Sequence, residues 1–216
     1  MNLQNLQVLQ DLILLAPPIL LALTFHEFMH SWIAYRLGDP TAKLAGRLTM
    51  NPLVHLDPIG TIMIFLVRFG WAKPVPVNPR YFSQPKRDML LVSVAGPAAN
   101  MLLALLSGLL LRSIYAGTFN FLPVNILKPV YNMVNFSLQI NLALAIFNLL
   151  PVPPLDGSKI LYGLLPYRYE HIYQYLEQYG PFVLMGLILF GMVTKISILG
   201  AFIYPFVNFF ARLFVG

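Results

Sequence analysis

The 216-residue chain is 58% hydrophobic and only 10% charged, so it has too few polar groups to cover a soluble core, and lipid must surround much of it. The formal net charge of +6 does not indicate nucleic-acid binding, because the Lys and Arg residues lie mainly between long apolar runs, as in membrane proteins. The absence of cysteine excludes disulfides, thiolate zinc sites and cysteine nucleophiles.

The first predicted element is an amphipathic lead-in followed by a membrane span. Residues 1–11 place leucines about one helical turn apart. The apolar run 12–35 is long enough to cross a hydrocarbon core of about 30 Å, and we expect Pro17 and Pro18 to bend it. Polar residues interrupt this span at His26-Glu27-Phe28-Met29-His30.

The middle of the chain contains a polar segment, a short apolar element and two further spans. Residues 36–57 are polar, and the apolar piece 59–67 is too short to cross as a helix. We predict a re-entrant, interfacial or β-hairpin element there, followed by an extended segment at 71–79. Strong spans are predicted at 89–111 and at about 130–150.

The C-terminal part is predicted to be interfacial and then membrane-embedded. Residues 158–180 carry several charges, whereas 181–214 is apolar and forms either one span with a shorter membrane-bound piece or a helical hairpin. The elements together predict an all-α polytopic membrane protein with a core of three transmembrane helices. We expect residues 1–216 to form a single domain, with a functional core at about 10–165.

The basic residues predict the orientation of the chain in the membrane. The connection near 112–129 holds two of them, whereas the segment 36–87 holds eight: Arg36, Lys43, Arg47, Arg68, Lys73, Arg80, Lys86 and Arg87. By the positive-inside rule, residues 36–87 and 151–180 are cytosolic and the uncharged N-terminus lies outside.

The motif His26-Glu27-x-x-His30 indicates a metal site. On a helix, positions i and i+4 lie about 40° apart, so both imidazoles can reach one ion, and Glu27 can take a proton from metal-bound water. The alternative is a pair of core histidines with a capping Glu. That alternative is weaker inside a membrane span, where an unpaired carboxylate costs roughly a few kcal/mol or more.

A catalytic zinc site normally has a third protein ligand, and the sequence offers several candidates. They are Asp156, His55, Asp57, Glu170 and His171. Asp156 closes a proline-rich turn after a long apolar span, but the same position suits the N-cap of a helix that starts at 157. The residues alone leave this choice open.

Two widely separated segments resemble the signatures of a known family. His26-Glu27-x-x-His30, together with the later segment 148–157 (NLLPVPPLDG), resembles the two motifs of the site-2 protease family of intramembrane zinc metalloproteases. Ala95-Gly96-Pro97-x-x-Asn100, between them, is similar to a third family element. The likeness covers about residues 10–165 and indicates a short form without room for a PDZ insert.

The resemblance implies a set of site residues. One zinc ion would be held by His26, His30 and Asp156, with Glu27 as the general base. The developing oxyanion needs a further donor, for which Asn148, Asn100 and His55 are candidates. The two asparagines can equally be hydrogen-bonding partners between helices.

The segment Lys73-Pro74-Val75-Pro76-Val77-Asn78 is a candidate template for an extended substrate. Its prolines remove donors from one edge, while Val75 and Val77 keep their N–H groups on the other. The substrate could therefore pair with this edge. In the alternative, the prolines only protect an exposed edge from aggregation.

The function predicted from the sequence is an intramembrane zinc endopeptidase. Its expected substrates are transmembrane or membrane-anchored polypeptides, its expected surroundings are a lipid bilayer, and nucleic acid is not expected to bind. We expect a multi-pass protein of a prokaryotic cell membrane with its site open to the cytosolic side. The alternatives are a catalytically silent scaffold, which would not need Glu27, and a metal or solute transporter, for which an internal repeat would be typical.

Overall fold

The computed structural model describes residues 3–60, 63 and 70–216, with the side chains of the first helix described from Ile13 onward. The described part is mainly helical, and its helices are α1 (Leu3–Arg36), α2 (Thr41–Leu44), α3 (Pro52–His55), α4 (Pro85–Tyr115), α5 (Val124–Asn148), α6 (Asp156–Leu164), α7 (Glu170–Thr194) and α8 (Ile198–Val215). Within these residues, five helical stretches are long and apolar enough to cross a membrane. The predicted all-α polytopic membrane fold is confirmed.

The three predicted core spans correspond to α1, α4 and α5. Helix α1 continues through Pro17 and Pro18, although each proline removes one backbone hydrogen bond. Helix α4 begins at Pro85, earlier than predicted, because proline is favoured in a first turn, where its missing N–H has no helical partner. Asp88 reinforces this start by accepting the N–H of Gln84 at 3.0 Å.

Helices α1, α4 and α5 pack together into a bundle, and α8 lies against α4 and α5. Small buried residues on α4, including Ala95, Gly96 and Ala99, let the neighbouring backbones approach closely. Beyond them lies an apolar cluster formed by Ala104, Leu111, Leu138, Leu142, Ile146 and Val207. The bundle therefore has a narrow, small-residue level next to a well-filled apolar level.

Helix α6 packs on α4 directly after the proline-rich loop 149–155. It begins at Asp156, and Gly157 follows as the second residue. A Cβ atom at position 157 would collide with the carbonyl oxygens of Leu149 and Leu150. Glycine is therefore needed here so that the start of α6 can fold back onto the end of α5.

The C-terminal region contains two separate helices, each long and apolar enough to cross a membrane, as in the helical-hairpin alternative for residues 181–214. Helix α7 ends where Lys195 adopts a left-handed conformation with φ of 60°, and α8 starts three residues later. Residues 170–180, the second half of the predicted interfacial range 158–180, form the first turns of α7.

The extended segment 73–78 lies beside α1 and is fixed at both ends. At one end, the buried Arg47 guanidinium donates to the carbonyls of Lys73 and Pro74. At the other end, the N–H of Asn78 donates to the buried carboxylate of Asp39 at 2.7 Å. These contacts hold the predicted extended segment in place.

The predicted re-entrant or β-hairpin element at 59–67 lies largely outside the described residues. Residues 58–60 are helical. Among the described residues, the β-pairing at its base is a single antiparallel bridge between Leu56 and Ala72. The N–H of Lys73 extends this pairing by donating to the carbonyl of His55 at 2.9 Å.

Candidate metal centre

Three donor atoms from two distant helices converge inside the bundle. Helix α1 presents His26 and His30 one turn apart, and the first residue of α6 presents Asp156. The Oδ2 atom of Asp156 lies 3.1 Å from the Nε2 atom of each histidine, and the two Nε2 atoms lie 3.0 Å apart. All three residues are buried. In the described part of the chain, they form the group of His and acidic side chains that could hold a metal ion.

The other nitrogen of each imidazole is bound to an acceptor. His30 Nδ1 donates to the carbonyl of Val92 at 2.7 Å, and His26 Nδ1 donates to Asn100 Oδ1 at 2.6 Å. The Asn100 amide is oriented by its own Nδ2, which faces the carbonyl of Ala22 at 3.2 Å. Both histidines therefore carry a proton on Nδ1, and both Nε2 atoms are left to face the centre.

The donor set fits a zinc ion. Donors at 2.0–2.1 Å from a tetrahedral zinc lie about 3.3 Å from one another, close to the observed spacing. Two nitrogen lone pairs and a carboxylate oxygen at this separation require positive charge between them. Burial acts to raise the pKa of Asp156, but the charge of protonated His30 and His26 holds that pKa well below its usual range, and a metal ion at the same place would act in the same direction. The side chain is thus the carboxylate that a metal requires.

Gly96 of α4 makes room for this centre. A Cβ atom at position 96 would lie 2.5 Å from His26 Nε2 and would also overlap His30 Nε2. At position 96, the absence of a side chain therefore leaves the space in which the donor atoms meet. The small-residue patch identified in the sequence has this second consequence, besides close helix packing.

Glu27 lies beside the donors in a cavity of about 130 Å³. One of its oxygens, Oε2, accepts the N–H of Val75 from the extended segment at 3.2 Å. The walls also include Pro74, Val77, Ser93, Asn148, Pro154 and Lys159. A cavity with this polar lining can hold water and a peptide group next to the three donors.

The remaining sequence candidates occupy different places. Asn148 lines the cavity, and its Nδ2 donates to the carbonyl of Leu144 in its own helix at 3.0 Å. Asn100 is fully buried against His26, and the buried ring of His55 donates to the carbonyl of Thr49 at 2.9 Å. The other third-ligand candidates, Asp57, Glu170 and His171, do not belong to the three-donor group found in the described residues.

Several residues at the site were missed by sequence reasoning. Lys159 follows Asp156 by three residues, a helical spacing that places both on one face and could have revealed it. Asn141 is fully buried, and its one indication in the sequence is that it lies two helical turns before Asn148. The carbonyl of Val92 and the N–H of Val75 are backbone groups, which no residue type identifies in advance.

Comparison with known proteins gives one family. The model of Peptidase family M50 matches residues 122–191. The chain is 40% identical over 191 residues to a Bacillus subtilis protein named "Putative zinc metalloprotease YwhC", covering 88% of this chain and 84% of the relative. No solved structure matches the chain.

Two further relatives carry the same designation. Rip2 of Mycobacterium tuberculosis is 33% identical over 148 residues, which cover 66% of this chain and 53% of Rip2. MJ0611 of Methanocaldococcus jannaschii is 31% identical over 139 residues, or 63% of each chain. The chain thus spans about half the length of Rip2. These likenesses confirm the predicted zinc cofactor and the resemblance to site-2 proteases, and the chain belongs to Peptidase family M50 as a membrane-embedded zinc metallopeptidase.

Proposed function

We propose that this chain is an intramembrane endopeptidase that cleaves transmembrane or membrane-anchored polypeptides. His26, His30 and Asp156 would hold the zinc ion, and Glu27 would be the general base. The observation that carries the proposal is the convergence of three donors beside a polar cavity, inside a bundle of membrane-length helices. A soluble substrate would not need its hydrolytic site among such helices.

The chemistry follows from the residues that surround the cavity. A zinc ion lowers the pKa of bound water to about 7 and polarises a carbonyl group. Glu27 accepts the proton of the attacking water and later delivers it to the leaving amine. The hydrogen bond from the Val75 N–H fixes Glu27 Oε2 and leaves Oε1 to take the proton.

Asn148 is the proposed donor to the developing oxyanion, because it is the asparagine that lines the cavity. In the resting structure, its Nδ2 donates to Leu144, and a side-chain rotation would redirect it to a substrate carbonyl. Removing one oxyanion donor costs about 10²–10³ in kcat. Asn148→Ala should therefore lower kcat by that factor with KM and zinc content unchanged. A selective rise in KM would instead indicate substrate binding.

The extended segment is proposed to align the substrate. A scissile peptide must be extended, since a helix occupies each carbonyl in a hydrogen bond. Val75 and Val77 both line the cavity, so their edge of the segment faces the place where the substrate would lie. The bond between Val75 and Glu27 supports a second role, in which the segment positions the base.

Two proline variants separate these roles. Val75→Pro removes the donor to Glu27, so both roles predict slow cleavage with zinc content and fold retained. Val77→Pro removes only a donor that a substrate strand could use. Slow cleavage by both variants would support strand pairing, whereas an effect at Val75 alone would leave the segment as a support for Glu27. Normal rates in both variants would remove the segment from the reaction.

The proposed orientation places the cavity on the cytosolic side. Single cysteines give a clean test, because the native chain has none. In intact cells, Asn2→Cys and Asn120→Cys should react with an impermeant thiol reagent, and Gln84→Cys should react only after lysis. The reverse pattern would place the basic segment 36–87 outside.

The decisive experiment is cleavage by purified protein in detergent or liposomes. A panel of single-span substrates is incubated with the enzyme, with a zinc chelator, and with chelator followed by zinc. Cleavage should require zinc and should fall by about 10²–10⁴-fold in Glu27→Gln at equal zinc content. Cleavage at the wild-type rate in Glu27→Gln would refute the assigned base. Exclusive cleavage of soluble peptides would refute the proposed substrate class.

A further inference from the structure

A chain of buried amides leads away from the metal centre into the bundle. Asn100 Oδ1 accepts from His26 Nδ1, and Asn100 Nδ2 donates to Asn141 Oδ1 at 2.8 Å. Asn141 Nδ2 in turn donates to the carbonyl of Ser137 at 2.8 Å. Both asparagines are fully buried, with 0% exposure. The hydrogen bonds of Asn141 go to Asn100 and Ser137 rather than to the three donor residues, and Asn141 belongs to none of the motifs identified in the sequence.

The direction of this chain is fixed by two backbone carbonyls. A carbonyl can only accept, so the atom of Asn141 that faces Ser137 must be the amide nitrogen, and Oδ1 must face Asn100. The carbonyl of Ala22 orients Asn100 in the same way. Each amide group of this hydrogen-bonded network therefore donates to an acceptor. At its end, Asn100 Oδ1 accepts the hydrogen bond from His26 Nδ1.

We propose that Asn141 is a positioning residue for the metal centre, which holds Asn100 so that His26 presents an unprotonated Nε2 to the metal. Without Asn141, one N–H of Asn100 would lack a partner in an apolar interior, which favours rotation of the Asn100 side chain. Rotation would withdraw the acceptor from His26 Nδ1. The imidazole would then lose its fixed tautomer and its fixed ring orientation.

The test is a double-mutant cycle that reads zinc affinity, by competition with a chromophoric chelator on the purified full chain. Asn141→Leu and Asn100→Leu should each raise the zinc Kd by about 10–100-fold. Because Asn141 acts through Asn100, the double variant should bind zinc no more weakly than Asn100→Leu alone. Effects that multiply, or an unchanged Kd in Asn141→Leu, would overturn the proposal.

Matched controls separate positioning from general destabilisation. Leu142→Ala alters the next residue, which is equally buried but belongs to the apolar cluster. It should lower the melting temperature and leave the zinc Kd unchanged. Asn141→Asp should bind zinc more tightly than Asn141→Leu and close to wild type, because a protonated carboxyl donates to the Ser137 carbonyl and accepts from Asn100. If Leu142→Ala weakened zinc binding as much as Asn141→Leu, the role of Asn141 would be structural only.

Absorption of the cobalt-substituted protein gives a second readout. The ligand-field bands of Co²⁺ should shift in Asn141→Leu and stay at wild-type positions in Leu142→Ala. If Asn141→Leu does not fold, Asn141→Ala replaces it. The inference rests on the proposed ligand role of His26. If His26→Ala does not weaken zinc binding, the ligand role of His26 and the positioning role of Asn141 are both refuted. A failure to cleave any substrate would affect only the proposed function.

Discussion

The two halves of the membrane region bury different kinds of side chain. In the bundle of α1, α4 and α5, the buried residues include histidines and asparagines, each hydrogen-bonded to a specific partner. Helices α7 and α8 bury only Gly180, Leu184 and Val207 among their described residues, and most of their Phe side chains are exposed. In the bundle, the identity of each side chain matters. In the C-terminal helices, apolar character is sufficient, because lipid makes no specific demand.

The sharpest test of this contrast removes the proposed zinc donors. Wild-type protein should hold about one zinc per chain, and the combination of Asp156→Ala with His30→Ala should hold none, since one remaining imidazole cannot retain the ion. Metal analysis after gel filtration in detergent measures this. Retention of stoichiometric zinc by a folded double variant would show that the ion lies elsewhere.

The next largest effect should come from Glu27→Gln. The amide fills the same space and cannot take a proton, so cleavage should fall by about 10²–10⁴-fold with zinc content unchanged. Parallel zinc analysis and cleavage of one single-span substrate provide the measurement. If zinc were lost as well, Glu27 would belong among the ligands rather than act as the base.

A pair of glycines compares the two halves directly. Gly96→Ala places a methyl group where the histidine Nε2 atoms converge, whereas a Cβ at Gly186 of α7 meets nothing within 4 Å. We expect Gly96→Ala to weaken zinc binding by at least about 10–100-fold. Gly186→Ala should leave zinc binding and melting temperature unchanged. Equal zinc affinity in the two variants would contradict the contrast between the bundle and the C-terminal helices.

The smallest effect is expected on the exposed face of α7. Val193 is 82% exposed, and Val193→Leu should change the free energy of unfolding by less than about 0.5 kcal/mol. Leu142→Ala, at a fully buried position of α5, should cost about 2–5 kcal/mol. Unfolding in detergent compares the two. A large effect at Val193 would indicate that another protein, rather than lipid, covers this face.

The sequence predicted the part of the site that is local in the chain. The spacing of His26 and His30 defines a pair on one helix face, whatever the rest of the chain does. Asp156 could not be chosen in this way, because its pairing with α1 depends on how α6 folds back after Gly157. Family resemblance selected it, and the structure places it 3.1 Å from both histidines.

Other features could not be read from residue types. The partner of Glu27 is a backbone N–H, which Val75 supplies only because Arg47 and Asp39 fix the extended segment. Asn100 was considered for the oxyanion, but its position on His26 depends on the packing of α4 against α1. Glu170 and His171, which suggested a surface segment, are the first two residues of the long helix α7.

The separation of the donors along the chain has a consequence for biosynthesis. Asp156 is 130 residues from His26 and 126 residues from His30. At a translation rate of about 5–20 residues per second, the histidine helix exists for about 6–25 s before its carboxylate partner is made. During that interval, the nascent chain offers only two of the three donors. On the proposed ligand assignment, a newly inserted α1 is a weak metal binder with no peptidase centre, and a neighbouring membrane protein meets the finished site only after Asp156 has been made.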